Sequence, residues 1–475
     1  MPLPHGFVVT LDRHTRVLDD GRALLGGFPT RLLRLAPRAR PLLTGRTVRV
    51  KDTASAILAE RLLDSGMANP DVTALPPCPD RRYTVVVPVR DRPRQLDRLL
   101  AALGTDAPVI VVDDASRRPE AVAGVAAGHG ARLVSLPANL GPAGARNAGL
   151  RLVTTPYVVF ADSDVVLSPD TAPMLLRHFA DPRVAMAVPR IAGLSTAASP
   201  NWIGRYEEAR SSLDLGRAPA EVRPGTPVSW ASTACVVARV DALGDGFDDR
   251  LRVGEDVDLC WRLFENGWRL RYEPRVEVAH EHRVRLGDWF LRKAEYGTGA
   301  EPLARRHPQF IAPAVFAPWS TALIVALLAQ RRWSLPAAGA VYGIATVRIA
   351  RKLEGTRHPY RLALSLTASG AVGALSQTSA LVTRHWWPLT ALGCTVSGRV
   401  RRAAAVAALT DIALEYRKDS AGLDPVRYGV ARRLDDLAYG AGVWFSALKG
   451  RSSKALHPRV VRGGRAAVRT GRSRP

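Results

Sequence analysis

Several residues in the middle of the chain have the types and spacing needed for chemistry on a charged substrate. Asp162 and Asp164 close the apolar run Tyr157-Val158-Val159-Phe160. In extended backbone, residues two apart point to the same side, so these carboxylates would form a pair of hard oxygen donors. Such donors suit Mg2+ or Mn2+, which take one or two carboxylates and share the rest of their shell with phosphates and water. A solvated Asx-turn is the competing reading of the same three residues. Asp113-Asp114 ends "PVIVVDDAS". There a carboxylate can accept a hydrogen bond from a base N–H or a ribose hydroxyl, or cap the helix that follows.

Two further segments add to the set. "NLGPAGARN" opens a helix. Its glycines allow close backbone approach, its N-terminus favours a phosphate, and Arg146 adds a fixed positive charge. Glu255 and Asp256 follow Gly254 at the start of a helix whose packing stripe is Val257, Trp261 and Phe264. One of these carboxylates can cap while the other faces substrate as a general base. Alternatively, both serve the helix dipole. "VEVAHEHR" ends a strand with His280, an imidazole able to complete a divalent-ion shell. Neither GxxxxGK[ST] nor GxGxxG occurs, which removes the ATP-type and dinucleotide fingerprints.

The elements around these residues alternate. "YTVVVPV", "PVIVVDDAS", "RLVSLP", "YVVFADSD" and "VAMAVPR" are Val-rich runs separated by amphipathic segments such as "RQLDRLLAAL". This order predicts an α/β domain over residues 79–300 with a mostly parallel sheet covered on both faces. Ligands of such sheets sit at the carboxyl ends of strands, where both Asp113-Asp114 and Asp162-Ser163-Asp164 fall. Residues 1–78 read as a small α+β, winged-helix-like module: a hairpin about Asp20-Gly21, then helices in "TRLLRLAPRARPLL" and "SAILAERLLDSGMANP". Residues 301–450 read as a helical, partly hydrophobic region, and 451–475 as a basic disordered tail.

At 475 residues the chain exceeds one core. Its net charge of +24, from 67 basic and 43 acidic residues and nearly all arginine on the basic side, favours phosphates or anionic headgroups as neighbours. Cys78, Cys235, Cys260 and Cys394 show no CxxC spacing, which argues against a disulfide framework or zinc site and fits a reducing compartment. No signal-peptide pattern opens the chain. Between Arg306 and Arg331 no residue is formally charged, and "IAPAVFAPWSTALIVALLA" is long enough to span a bilayer. Membrane association is therefore expected, with the catalytic domain on the cytoplasmic face.

The order VVVPVRDR, VVDDAS, NLGPAGARN, ADSD, SWAS, GFDDRL, GEDVDLCWRL and AHEHR resembles the family 2 inverting glycosyltransferases of GT-A fold over about 200 residues. The resemblance implies a nucleotide-diphosphate sugar donor and no nucleic-acid partner. It assigns the donor nucleoside to Asp113 and Asp114, with Arg146 and Asp162 at the diphosphate, and the metal to Asp162, Asp164 and His280. Asp256 becomes the base with Glu255 beside it, and Trp230 falls at an acceptor position. The QxxRW signature of processive synthases is missing, which disfavours a long-chain polymerase.

With "GGFPTRLLRLAP" in the N-terminal part, the whole layout is similar to the glycosyltransferases of mycofactocin systems. That likeness implies UDP-glucose as donor, β-1,4-linked glucose units, and a peptide-derived redox cofactor as acceptor. It also implies a PqqD-like N-terminal module that pairs a strand edge with a precursor peptide. A cell-wall rhamnosyl- or galactofuranosyl-transferase acting on a lipid-linked glycan is the alternative enzyme. A peptide-binding scaffold with a degenerate transferase domain is the alternative from another class.

Overall fold

The computed structural model describes residues 2–104, 107–194, 201–281, 284–420 and 422–461. Two compact units divide the chain: residues 1–196 with 211–282, and residues 197–210 with 283–469.

The first unit begins with β1 (Val8–Leu11), β2 (Arg16–Leu18), β3 (Ala23–Gly26), β4 (Arg31–Arg34), β5 (Thr47–Arg49), α1 (Thr53–Asp64) and β6 (Ala68–Pro70). They form two three-stranded sheets, β5-β1-β6 and β2-β3-β4. The expected turn joins β2 to β3, with Asp19, Asp20 and Gly21 all at positive φ. Where a helix was expected from "TRLLRLAPRARPLL", the chain forms β4 and then a 3-10 turn over Pro37–Leu42. Leu32 and Leu33 pair with Leu25 and Leu24, and the prolines at 37 and 41 supply no N–H for an α-helical ladder. Helix α1 is capped reciprocally. The Ser55 amide donates to Asp52 Oδ1 at 2.8 Å and the Asp52 amide to Ser55 Oγ at 3.0 Å. The module thus has two small sheets and one α-helix, in place of a hairpin followed by two helices.

The unit continues with β7 (Tyr83–Val89), α2 (Pro93–Leu103), β8 (Val109–Asp113), α3 (Pro119–Gly128), β9 (Arg132–Ser135), α4 (Gly141–Leu150), β10 (Tyr157–Ala161), β11 (Val165–Val166), α5 (Thr171–Leu176) and β12 (Val184–Leu194). Helix α6 (Trp202–Arg210) belongs to the second unit. The first resumes with β13 (Ala220–Glu221), β14 (Cys235–Arg239), α7 (Val240–Leu243), α8 (Glu255–Glu265) and β15 (Arg269–Glu281). Their sheet runs β11-β15-β12-β14-β10-β7-β8-β9, with β13 on β15. Strands β10, β7, β8 and β9 are mutually parallel, as the Val-rich runs predict. Strand β14 enters antiparallel between β10 and β12, so the sheet is mixed. Every residue of β10 is buried, which explains its unbroken apolar run.

The second unit is helical: α6, α9 (Leu286–Thr298), α10 (Ala300–Arg306), α11 (Pro318–Ala329), α12 (Ser334–Lys352), α13 (Pro359–Ala380), α14 (Trp387–Val396), α15 (Gly398–Tyr416) and α16 (Pro425–Lys449). Charges lie inside it, with Lys293 Nζ 2.7 Å from Glu207 Oε1 and Arg432 Nε 2.9 Å from Asp411 Oδ2. The expected spanning segment is corrected. Pro318 starts α11 late and Gln330 ends it at φ 48°, leaving 12 residues. Among the described residues no helix is long and apolar enough to cross a membrane. The expected tail is corrected in part, because β17 (Arg459–Val460) pairs in parallel with β16 (Val315–Phe316). Residues 462–475 of that tail lie outside the described residues.

In the first unit the N-terminal module is fastened to the sheet by charge. The buried Arg269 guanidinium lies 2.7 Å from Asp181 Oδ2 and 2.5 Å from Asp64 Oδ1, the last residue of α1. Removing one member of such a buried pair leaves the other charge uncompensated. Asp181→Ala should lower unfolding free energy by about 3 kcal/mol in urea titrations. Arg183→Gln, which breaks the solvent-exposed pair of Arg183 with Asp64, should change it by less than about 1 kcal/mol.

Candidate active site

The carboxyl ends of β8 and β10, the start of α4 and the start of α8 bring most of the sequence-predicted residues together. At their centre is Arg146 on α4, whose side chain is 3% exposed. Its Nη2 donates to Asp162 Oδ1 at 2.5 Å and its Nη1 to Glu255 Oε1 at 3.2 Å. The guanidinium also lies 5.4 Å from the Phe247 ring centroid, a cation–π distance. Burial opposes its charge, but Asp162 and Glu255 outweigh that and hold its pKa above the usual arginine value. Arg146 is thus engaged by two protein carboxylates, where the sequence reading gave it to the donor phosphates.

Asp114 also has a different task from the expected one. Its Oδ1 accepts from the Leu140 amide at 2.6 Å and its Oδ2 from the Gly141 amide at 2.9 Å. The N-terminus of α4, read from sequence as a phosphate site, is therefore capped by a side chain from β8's end. Asp113 is buried and accepts from the Ser116 amide at 3.1 Å. Gly141 sits at φ +78°, a backbone conformation that favours glycine.

Asp164 faces a residue that the sequence reading missed. Arg92, just after β7, donates through Nη1 to Asp164 Oδ2. On the other side His280 Nε2 lies 3.7 Å from Asp164 Oδ1. The antiparallel pairing of Val165 with His280 sets that approach. Burial raises the Asp164 pKa, yet His280 and Arg92 together bring it below the ordinary carboxyl value. The only sequence signal for Arg92 is a basic residue at the mouth of a parallel strand, in "VVVPVRDRPRQL".

Asp162, Asp164 and His280 supply two carboxylates and an imidazole at adjoining strand ends. This chemistry fits a hard divalent ion that takes few protein ligands and completes its shell from substrate oxygens. Among the described residues no group of three His, Cys, Asp or Glu is gathered closely enough to hold an ion alone.

Asp256 is half-buried on the first turn of α8, behind Gly254 at φ 86°. Burial and the adjacent Glu255 charge push its pKa up to about 7. A carboxyl so tuned is partly ionised near neutrality and suited to taking a proton from a hydroxyl. The loop before α8 is pinned to α4, since Asn147 Nδ2 donates to the Phe247 carbonyl at 2.8 Å and the Phe247 amide to Asn147 Oδ1 at 2.9 Å. Trp230 is half-buried between two anchored residues. Trp261 Nε1 donates to the Ser229 carbonyl at 2.8 Å, and Cys260 Sγ to the Ala231 carbonyl at 3.6 Å. α8 therefore positions both Asp256 and the backbone that carries Trp230.

With this geometry in place, comparison with known proteins decides the family. The profile described as "Glycosyl transferase family 2" matches residues 84–233. The pre-mycofactocin glycosyltransferase of Mycobacterium tuberculosis strain H37Rv is 43% identical over 477 residues, 96% of this chain and 98% of the relative. The chain belongs to the pre-mycofactocin glycosyltransferase family. It is an enzyme of glycosyl transfer, and its strand–helix domain is GT-A-like. A poly-beta-1,6-N-acetyl-D-glucosamine synthase of Staphylococcus aureus strain COL is 24% identical over 217 residues, 44% of this chain and 52% of the relative. Among solved structures, the mannosyltransferase PcManGT from Pyrobaculum calidifontis, in complex with GDP-Man and Mn2+, is 21% identical. It covers 63% of this chain and 88% of its own at a TM-score of 0.37.

The raised Asp256 pKa can be checked directly. Folding keeps the Asp256 proton bound up to about pH 7, while an unfolded aspartate releases it near 3.9. Its contribution to stability is therefore present in acid and lost as pH rises through 7. Asp256→Asn should consequently raise the melting temperature of the enzyme most at pH 8, less at pH 5, and hardly at all below about pH 3.5. Glu255→Gln removes the neighbouring negative charge and should move the Asp256 carboxyl band to lower pH in infrared titration.

Proposed function

We propose that the enzyme is a metal-dependent inverting transferase that takes glucose from UDP-glucose and builds β-1,4-linked units on a peptide-derived redox cofactor, the precursor of mycofactocin. The observation that carries the reading is Asp256, a carboxyl tuned to about 7 at the open end of α8. Nearby, Arg146 ties the first turn of that helix to the strand-end aspartate Asp162. The name of the Mycobacterium tuberculosis relative supports this acceptor over a lipid-linked glycan. We place the catalytic unit in the cytoplasm, where nucleotide sugars are made.

The steps follow from this chain's residues. Asp256 takes the proton of an acceptor hydroxyl as that oxygen attacks the anomeric carbon from the face opposite the diphosphate. One in-line displacement inverts an α-linked donor to a β-glycoside, and no protein nucleophile is required. Arg92, reaching the site from the end of β7, offsets negative charge on the departing diphosphate. Asp164 and His280, with Asp162, would hold Mg2+ or Mn2+, which when bound supplies further charge compensation at the same oxygens. Asp162, Asp164 and Asp256 are all present, which argues against a degenerate scaffold.

A second feature favours a peptide partner in the same pathway. β4 is an edge strand, and beside it lies a cavity of about 370 Å³ between β4 and α1. Leu33 and Met67 form its nearly buried floor, Ile57 stands 61% exposed at its side, and Arg31, Glu60, Arg61 and Asp64 give it a charged wall. An edge strand beside a slot with one exposed isoleucine and a charged wall suits an extended peptide that adds a strand and carries charge of its own.

Three outcomes test the reading. Asp256→Asn should lower transfer from UDP-glucose by at least about 100-fold while leaving nucleotide affinity within about threefold. Wild-type transfer rates in that variant would remove Asp256 as base. Chelation with EDTA should abolish transfer, and added Mn2+ or Mg2+ should restore it; full activity in EDTA would refute the metal requirement. Ile57→Asp should weaken binding of the precursor peptide by about tenfold, measured by fluorescence anisotropy, with UDP-glucose hydrolysis unchanged.

A further inference from the structure

The two units treat apolar side chains differently. Among the described residues, the first unit exposes large apolar side chains at Val17, Ile57 and Leu140. The second exposes many more, and they gather on α11 to α15. Helix α14 carries no charge and buries none of its residues, and its Leu389, Leu392 and Val396 stand exposed, the last at 83%. On α13, Tyr360, Leu364, Val372 and Leu375 are exposed, and at 100° per residue they fall within an arc of about 120°. Val325 and Leu328 on α11 and Val406 and Leu409 on α15 repeat the pattern at a spacing of three.

Charge surrounds this surface with one sign. Residues 302–410 contain thirteen Lys or Arg and one acidic residue, Glu354. Arg305 and Arg384 pair with Glu301 and Asp436. Asp411 and Glu415, which follow on α15, are buried and paired with Arg432 and Arg210. The basic residues collect at helix ends. Gln330, which ends α11, donates through Nε2 to the Arg399 carbonyl at 2.8 Å and accepts from Arg402 Nε at 3.0 Å. That joins Arg331 and Arg332 to the arginines opening α15. At the other end of α12, Arg348 and Arg351 precede Arg357 and Arg361 around the start of α13. Trp333 and Tyr360, both more than half exposed, sit beside these two clusters at helix ends. Rings with one apolar and one polar edge take that place at the headgroup level of a bilayer.

We propose that the α11–α15 face of the second unit docks on an anionic lipid surface. Its apolar side chains enter the headgroup–acyl boundary and its arginines sit on lipid phosphates. Such a helix face binds by lying in the interface, so no helix needs to cross. Charge complementarity selects this occupant. A second copy of the chain packed face to face would bring two sets of like charges together across a low-dielectric contact. An anionic bilayer instead supplies countercharge to the arginines at these helix ends, which the buried and already paired Asp411 and Glu415 do not.

Flotation of the full chain with vesicles tests this. The protein should float with vesicles of phosphatidylcholine and phosphatidylglycerol, bind vesicles of phosphatidylcholine alone at least about tenfold less, and be released by high salt. Leu392→Glu with Val396→Glu should reduce binding to the anionic vesicles by about tenfold or more. Circular dichroism melting should stay unchanged, because both side chains are already exposed. Arg399→Glu with Arg402→Glu should remove the preference for anionic lipid. Two results would overturn the proposal: failure to float with either vesicle, or a dimer in light scattering that Leu392→Glu with Val396→Glu dissolves while vesicle binding is absent. The second result would assign the face to a second copy of this chain.

Discussion

The buried guanidinium of Arg146 is the interaction on which the site depends. It ties the end of β10 to the start of α8 through Asp162 and Glu255. A charge taken out of water is costly unless it is paired and hydrogen-bonded, and here two carboxylates supply that pairing. The same contact gives both carboxylates a reason to face inward from elements far apart in sequence. It also engages Glu255, leaving Asp256 as the member of the pair whose carboxyl is raised. Two adjacent acidic residues thus receive different protonation behaviour from their surroundings.

Around that contact the rest of the first unit acts as a frame. Asp114 caps α4 and so fixes the helix that carries Arg146. Asn147, the next residue, grips both sides of Phe247 and holds the loop leading into α8. Phe247 in turn packs edge-on against Phe160 of β10, with ring centroids 5.3 Å apart. Strand, helix and loop therefore constrain one another, and Asp256 is positioned without lying on a mobile tip. Arg92 and His280 complete the arrangement at Asp164, one from each side.

Much of this was legible in the chain, for reasons that differ by element. The parallel strands announced themselves because a strand buried on both faces must be apolar throughout, as "YVVFA" is. Asp162 and Asp164 were conspicuous because charges interrupt that run. The start of α8 was readable from Gly254, but its buried face is Leu259, Cys260, Trp261 and Leu263. Of the expected stripe of Val257, Trp261 and Phe264 only Trp261 is buried. "TRLLRLAP" misled because Leu-Leu between arginines fits a strand as well as a helix turn, and its pairing with β3 decided the matter. The long uncharged run after Arg306 satisfied a length criterion, but Pro318 delayed the helix and Gln330 ended it.

By itself the sequence determined which chemistry was available: paired aspartates at a strand end, a Glu-Asp pair opening a helix, and an excess of arginine. Those are local facts, set by side-chain type and by the period of the backbone. Tertiary structure alone decided how the charges are shared out. Arg146 could have met a phosphate, yet it meets Glu255, 109 positions away. Asp114 could have met a ribose, yet it caps α4. Arg92 stood in plain view and gained meaning only when the fold set it on Asp164. The physical reason is that electrostatic partnership depends on distance in space and on burial, neither of which the order of residues records.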